Sequence, residues 1–394
     1  FQDGHFRIES GPPRPVAAAM NLFERNDDET PAIDFTMTGA AACSALGFSN
    51  ASHSLQIEGP NVEVDGERTF AAGIITTAKG RKYGVIRIPL FQQREYATAC
   101  ESAWDAFRSA NGAACDEGCQ DRFSIVAKRA VAQALADDAR ELQKRAPDGI
   151  VIDLTGNGGG TEWAEFAAAA LTPRTLKPPA VAMIRGPHWQ KTLRDDIALF
   201  DRDLAKARVD AERTLLTSAR TRALAMLDST KVNCDLHSIW TDRNAQPACW
   251  NITGVQNYMD SVDLTLTRGL ESSPVLLPAS AIQQVDRPYD GPIFIMTDAN
   301  TASASEQFAG VLVDNGVAKT IGSKTMGVGC GYTNGGNPIK LEHDGLTIWM
   351  PDCARLRPDG SNEFEGIKPN YPADWGNDAK SRAQALSAAL DKIR

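Results

Sequence analysis

A turn of small polar residues, Thr297 to Thr301, runs straight into Thr301-Ala302-Ser303-Ala304-Ser305-Glu306. The run Ile293 to Met296 before it is apolar and of strand length. Phe308, Val311 and Leu312 after it recur at helical spacing. Ser303 is therefore expected where a strand turns into a helix. Such an elbow pushes one small side chain out beside the unpaired N–H groups of a helix N-terminus, a setting that suits a nucleophilic serine. A serine here could equally be a plain helix cap, and Thr301 and Ser305 would cap as well.

A second stretch repeats the plan. Gly149 to Ala170 reads as a buried strand (Ile150 to Leu154), a glycine turn (Gly156 to Gly160) and a helix from about Thr161. The turn needs glycine for positive φ or for close backbone approach. Two strand–turn–helix units suggest two elements meeting at one site, one bringing a nucleophile and the other backbone N–H donors. On that reading the oxyanion of an acyl-transfer reaction is held by an N–H of the Gly158/Gly159 turn and by that of Ala304. The alternative is that the glycines make a tight turn and nothing more.

The elements that must position these groups are a mixed α/β set. Asn50 to Phe91 is strand-rich, with alternation in residues 54–58, 61–64 and 73–77 and an apolar run in 83–91. Residues 100–147 are helical. Residues 187–270 read as a helical insertion, a lid or an interface in one reading and a solvated helical pair in another. Residues 317–352 read as strands joined by glycine-rich turns, and 380–394 as a closing helix. Residues 9–50 read as irregular with short elements. The expected division is 1–80 as a small N-terminal, strand-rich part and 81–394 as the core.

The chain has 394 residues and a net charge of −9, enough to bury a large core in one or two domains. An acidic chain without basic clusters argues against nucleic acid as the main partner. No apolar run is long enough to span a membrane. No H-E-x-x-H or His/Cys cluster at ligand spacing is present, so neither metal nor cofactor is expected. Its start at Phe1 suggests a missing N-terminal part carrying a signal peptide. Eight cysteines, none in a C-x-x-C pair, fit disulfides in an oxidising, secreted or periplasmic setting; eight buried thiols in a cytosolic protein are the alternative. The pairs expected are Cys115–Cys119, Cys234–Cys249 and Cys330–Cys353.

Four segments, in order, resemble the tail-specific or C-terminal-processing serine protease family: 83–89 (Y-G-V-I-R-I-P), 151–160 (V-I-D-L-T-G-N-G-G-G), 301–306 (T-A-S-A-S-E) and 322–329 (G-S-K-T-M-G-V-G). The resemblance implies a crotonase-like core of repeated strand–strand–helix units and makes Ser303 the nucleophile. One departure separates this chain from the branch that uses a Ser–Lys dyad. Val328 stands where that branch has its lysine base, and Lys324 matches an earlier lysine that is not the base. The chain is closer to the branch of the tricorn core and the chlamydial secreted protease, which uses histidine and glutamate. D-G-H-F at 3–6 resembles the histidine segment of that branch and E-F-E-G-I-K-P-N at 363–370 its glutamate segment. The resemblance thus maps His5 as general base and Glu363 as the residue that orients it, with Glu365 as the second choice. Family members often carry a PDZ-like module, and none is clear in residues 10–80.

The expectation is a serine endopeptidase acting on protein or peptide substrates, with homo-oligomerisation left open. Its rivals are a non-catalytic peptide or apolar-ligand binder on the same fold and an esterase or amidase with the same triad.

Overall fold

The structure is a computed structural model. It describes residues 6–10, 33–51, 53–66, 68–110, 115, 119–161, 163–183, 187–231, 252–254, 258, 266–267, 270–276, 285–331, 339–341, 345–349, 351 and 353–393. The first half holds β1 (Arg7–Ser10), α1 (Gly39–Ala45), β2 (Val62–Val64), β3 (Ala72–Thr76), β4 (Lys82–Arg87), α2 (Ala97–Ala110), α3 (Cys119–Gln143), β5 (Ile150–Asp153), α4 (Trp163–Ala170) and β6 (Ala180–Met183). Then come α5 (Pro187–Lys206), α6 (Asp210–Ser229), β7 (Ile252–Gly254), β8 (Ile293–Thr297), α7 (Ala304–Asp314) and β9 (Ala318–Gly322). The chain closes with β10 (Ile339–Lys340), β11 (Leu346–Trp349), β12 (Cys353–Leu356), β13 (Tyr371–Pro372) and α8 (Ala379–Leu390).

The larger of two compact units, residues 16–176, 283–326 and 367–394, is built on a seven-stranded sheet of order β13-β9-β8-β5-β4-β3-β2. Strands from β13 to β4 run parallel, and β3 and β2 add an antiparallel edge. β5 (I-V-I-D) and β8 (I-F-I-M-T) are buried at every position, as expected of parallel strands covered on both faces. One face packs Tyr83, Val85, Val151, Phe294, Met296 and Ile321 against Ala383, Leu386, Ala389 and Leu390 of α8. Across the unit, α3 lies against β4 and β5, and α4 touches both α3 and α7.

The β5–β8 register pairs Ile150 with Ile293 and Asp153 with Met296, so the two strands end level. Their following loops, 154–160 and 298–303, leave one edge of the sheet side by side. This is the carboxyl edge at which parallel α/β sheets hold their sites.

The smaller unit comprises residues 1–15, 177–282 and 327–366. It holds two antiparallel three-stranded sheets, β1-β11-β10 and β12-β6-β7. Within the expected insertion, α5 and α6 bury Leu193, Ile197 and Phe200 together with Leu215, Leu216, Ala219 and Ala223, which gives this pair a core of its own.

One sequence expectation differs from the structure. Residues 54–58 form no strand; Ile57 is buried in the cluster under α8 instead, so its alternation served packing and not pairing. β3 and β4 pair across residue 80, Thr76 opposite Lys82. The two compact units interleave along the chain.

Disulfides join Cys115 to Cys119 and Cys330 to Cys353, as the sequence suggested. A third, Cys43–Cys100, ties α1 to α2 across a sequence separation of 57. Cys234 and Cys249 lie outside the described residues. On chain-entropy grounds a cross-link closing that long a loop is worth about 4 kcal/mol. Peptide mapping without reductant should recover Cys43 linked to Cys100, and the double serine variant should melt well below wild type. A free Cys43 thiol would refute the pairing.

Asp138 on α3 accepts the Phe70 N–H (3.3 Å) and lies 3.4 Å from Arg68 Nη1. Burial outweighs these contacts and pushes its carboxyl up to about 6. The folded chain therefore holds this proton more tightly than the unfolded chain. The resulting stability is present at low pH and is lost as pH rises from the ordinary carboxylate value to about 6. Thermal melts of wild type and Asp138→Asn between pH 4 and 7 should show the wild type losing ground to the variant across that window, by roughly 3 kcal/mol at most. A difference that stays constant with pH would contradict this.

Candidate active site

Ser303 sits at the N-terminus of α7 with φ 54° and ψ −119°. Positive φ in a residue with a Cβ is strained, at a cost of about 1–3 kcal/mol, and persists only where the surroundings impose it. The surroundings here are well specified. The Ser303 N–H donates to Glu306 Oε2 at 3.1 Å. The Ser303 carbonyl accepts from the Glu306 N–H (2.9 Å) and the Gln307 N–H (3.0 Å). Glu306 is fully buried, and its Oε1 accepts the Thr325 hydroxyl. Thr325 Oγ1 in turn accepts the Ile367 N–H at 2.7 Å. The elbow is thus braced from beneath by a buried carboxylate that is itself anchored to the segments at Thr325 and Ile367.

The turn before the elbow is stitched to the glycine turn after β5. Both Asp298 carboxylate oxygens accept the Gly156 N–H, at 2.9 and 3.0 Å. The Thr301 hydroxyl donates to the Leu154 carbonyl (3.1 Å), and the Ala302 N–H donates to the Asn157 carbonyl (3.0 Å). Gly159, at φ 110°, lies directly against Ser303. A Cβ there would come within 2.7 Å of Ser303 Cβ, 2.9 Å of the Ala302 carbonyl and 3.0 Å of the Ala304 nitrogen. The far end of the turn is pinned by Phe91 N–H to Gly159 O and Thr161 N–H to Phe91 O, both 2.7 Å.

The backbone N–H groups around Ser303 divide into committed and uncommitted ones. That of Gly159 donates to Asn157 Oδ1 at 2.9 Å. Those of Gly158 and Ala304 donate to nothing among the described residues. A reacting carbonyl at Ser303 would therefore find unspent donors at Gly158 and Ala304, the second at a helix N-terminus where the dipole favours negative charge. Ser303 is partly exposed, whereas Ser305 two residues on is fully buried, so the accessible hydroxyl is that of Ser303.

Ser303, Ala304, Gly158 and Gly159 are brought together in the larger unit. Glu363 belongs to the smaller unit, in a short 3₁₀ turn (Glu363–Glu365) capped by Asn362 Oδ1, which accepts the Phe364 N–H at 3.2 Å. Glu363 is buried and accepts Arg355 Nη1 at 2.9 Å, while Glu365 is exposed. His5 lies outside the described residues. Val328 is buried and Lys324 exposed. Sequence reasoning missed Asn157, Asp298, Glu306 and Arg355. Glu306 stood in the quoted serine segment and Asn157 in the glycine run, but nothing in their spacing showed which atoms they would hold. Among the described residues no group of three His, Cys, Asp or Glu side chains could hold a metal ion.

Residues 82–373 match the sequence model of peptidase family S41. A comparison with curated protein sequences finds no match. Among solved structures, the chain is similar to mature CPAF complexed with lactacystin, at 18% identity and a TM-score of 0.48 over 86% of this chain and 56% of that one. It is also similar to the photosystem II D1 C-terminal processing protease, at 15% identity and a TM-score of 0.32 over 81% of this chain and 50% of that one. The tricorn protease is similar at 12% identity and a TM-score of 0.25, over 69% of this chain and 20% of that one. This chain spans little more than half of the CPAF chain it matches.

The two glycines beside Ser303 should respond differently to a methyl group. A Cβ at Gly158 meets nothing within 4 Å, whereas one at Gly159 collides with the elbow. Gly158→Ala should keep wild-type melting and serine reactivity within a few-fold. Gly159→Ala should lose reactivity by about 10²-fold or more. Equal behaviour of the two variants would show that the turn does not rest on Ser303 as described.

Proposed function

The chain belongs to peptidase family S41, and on that premise we propose that it is a serine endopeptidase with Ser303 as nucleophile, His5 as general base and Glu363 as the residue that orients His5. The observation that carries the proposal is the strained Ser303 elbow flanked by the uncommitted N–H groups of Gly158 and Ala304. A plain helix cap needs neither the strain nor a glycine turn laid against it. Val328 in place of a lysine favours a histidine base over a Ser–Lys dyad. Burial of Glu363 in an ion pair with Arg355 favours it over the exposed Glu365, since a fixed carboxylate holds an imidazole in one orientation.

In this reading Ser303 Oγ attacks the carbonyl carbon of a peptide bond as its proton passes to His5. The carbonyl electron pair moves onto oxygen, where Gly158 and Ala304 N–H groups receive it. Collapse of that intermediate breaks the C–N bond, and His5 gives its proton to the departing amine. Water then repeats the attack on the acyl-enzyme with His5 again as base, releasing the carboxylic acid and restoring Ser303. The substrate is a protein or peptide. Three disulfides among the described residues support an extracytoplasmic setting, secreted or periplasmic.

Fluorophosphonate labelling with peptide mapping tests this reading. Label should appear on Ser303 in wild type and be absent in Ser303→Ala. It should fall by about 10³-fold or more in His5→Ala, and less steeply in Glu363→Gln. A folded wild-type chain that takes no label would sink the enzyme reading and leave a ligand-binding protein on the peptidase fold. Labelled enzyme that turns over p-nitrophenyl esters and spares casein would replace endopeptidase by esterase.

A further inference from the structure

Asn157 is fully buried at the centre of the glycine turn, and four hydrogen bonds meet on it. Its Nδ2 donates to the carbonyl of Ile88, just past the end of β4, at 2.8 Å. Its Oδ1 accepts the Gly159 N–H at 2.9 Å. Its carbonyl accepts the N–H of Ala302, the residue before the nucleophile, at 3.0 Å, and its own N–H donates to Leu154 O at 3.0 Å. One residue thus fixes the glycine turn to the neighbouring strand, to itself and to the elbow.

The side chain has to be an amide of this length. The Ile88 carbonyl needs a donor and the Gly159 N–H needs an acceptor, and only a carboxamide offers both across a short, flat group. An ionised aspartate would keep the acceptor and press a charge against the Ile88 carbonyl. Alanine would leave a buried N–H and a buried carbonyl unpaired, each at the cost of its lost hydration.

We propose that Asn157 is a positioning residue for the oxyanion site. By taking the Gly159 N–H out of play it fixes the turn in the orientation that leaves the Gly158 N–H uncommitted, and through its carbonyl it fixes Ala302 and so the Ala304 N–H. The inference rests on Ser303 being the nucleophile. It adds that the donors on either side of Ser303 are set by one buried amide.

The test compares wild type with Asn157→Asp and Asn157→Ser, each first checked for folding by circular dichroism and melting. The readouts are kcat, KM and the Ki of a peptide aldehyde, whose tetrahedral adduct uses the same donors as the transition state. At neutral pH, Asn157→Asp should lose about 10²-fold in kcat and a similar factor in aldehyde affinity, with KM within about twofold. As pH falls, the buried aspartate protonates and gains an O–H that can donate to Ile88 O. The activity ratio of variant to wild type should therefore climb. A simple loss of packing would give a ratio that is flat with pH. Asn157→Ser, which keeps one of the two side-chain bonds, should fall between, and it serves if the aspartate variant does not fold. A folded variant with kcat and Ki within threefold of wild type, or with its loss confined to KM, would overturn the inference. Wild type that takes no label on Ser303 would instead overturn the reading beneath it, so the two failures are distinguishable.

Discussion

The level parallel pairing of β5 with β8 is the constraint on which the site depends. Parallel neighbours send their next segments out of the same edge, and pairing Asp153 with Met296 brings the glycine turn and the serine elbow out at one height. A slip of one residue would turn every side chain of one strand to the other face and separate the turns by one step. The burial of both strands on both faces forbids such a slip, because it would misplace a full row of Ile, Val and Phe side chains.

Above that frame a chain of polar contacts holds the strain at Ser303 in place. Ser303 holds a backbone conformation that a residue with a Cβ avoids. Glu306 grips its N–H, Thr325 grips Glu306, and Ile367 grips Thr325. Hydrogen bonds made away from water are worth more than exposed ones, because the surroundings screen them less. On the other side Asp298 and Asn157 hold the glycine turn with its peptide planes fixed. The Ser303 elbow and the glycine turn are therefore held from both sides by hydrogen-bonded side chains.

Much of this was legible in the residues themselves. Two apolar runs of strand length, each followed by small residues and then by helical spacing, sufficed to place Ser303 and the glycine turn, because strand, turn and helix are local choices. The partners of those elements were not legible. Nothing near Asn157 in sequence indicates Ile88 O, and nothing near Glu306 indicates Thr325, since these contacts exist only after the sheet has formed. The Cys43–Cys100 link escaped for the same reason: local spacing suggests near pairs and is blind to a helix folded back on another. The alternation at 54–58 misled because a packed loop and a strand edge both place every second residue inward. The interleaving of the two units is not legible in a linear scan, because only the fold joins segments so distant in sequence.

The same interleaving has a consequence for biogenesis. β5 ends at Asp153 and its neighbour β8 begins only at Ile293, with the α5–α6 pair emerging in between. A growing chain must therefore carry β5 with one apolar edge open while a separate compact body is synthesised beyond it, and contacts that distant in sequence close slowly. β5 can pair with β8, and the glycine turn can meet Ser303, only after the interposed segment has been made. A chain that stops short of β8 holds an unfinished sheet that is open to aggregation and has no Ser303 elbow beside its glycine turn.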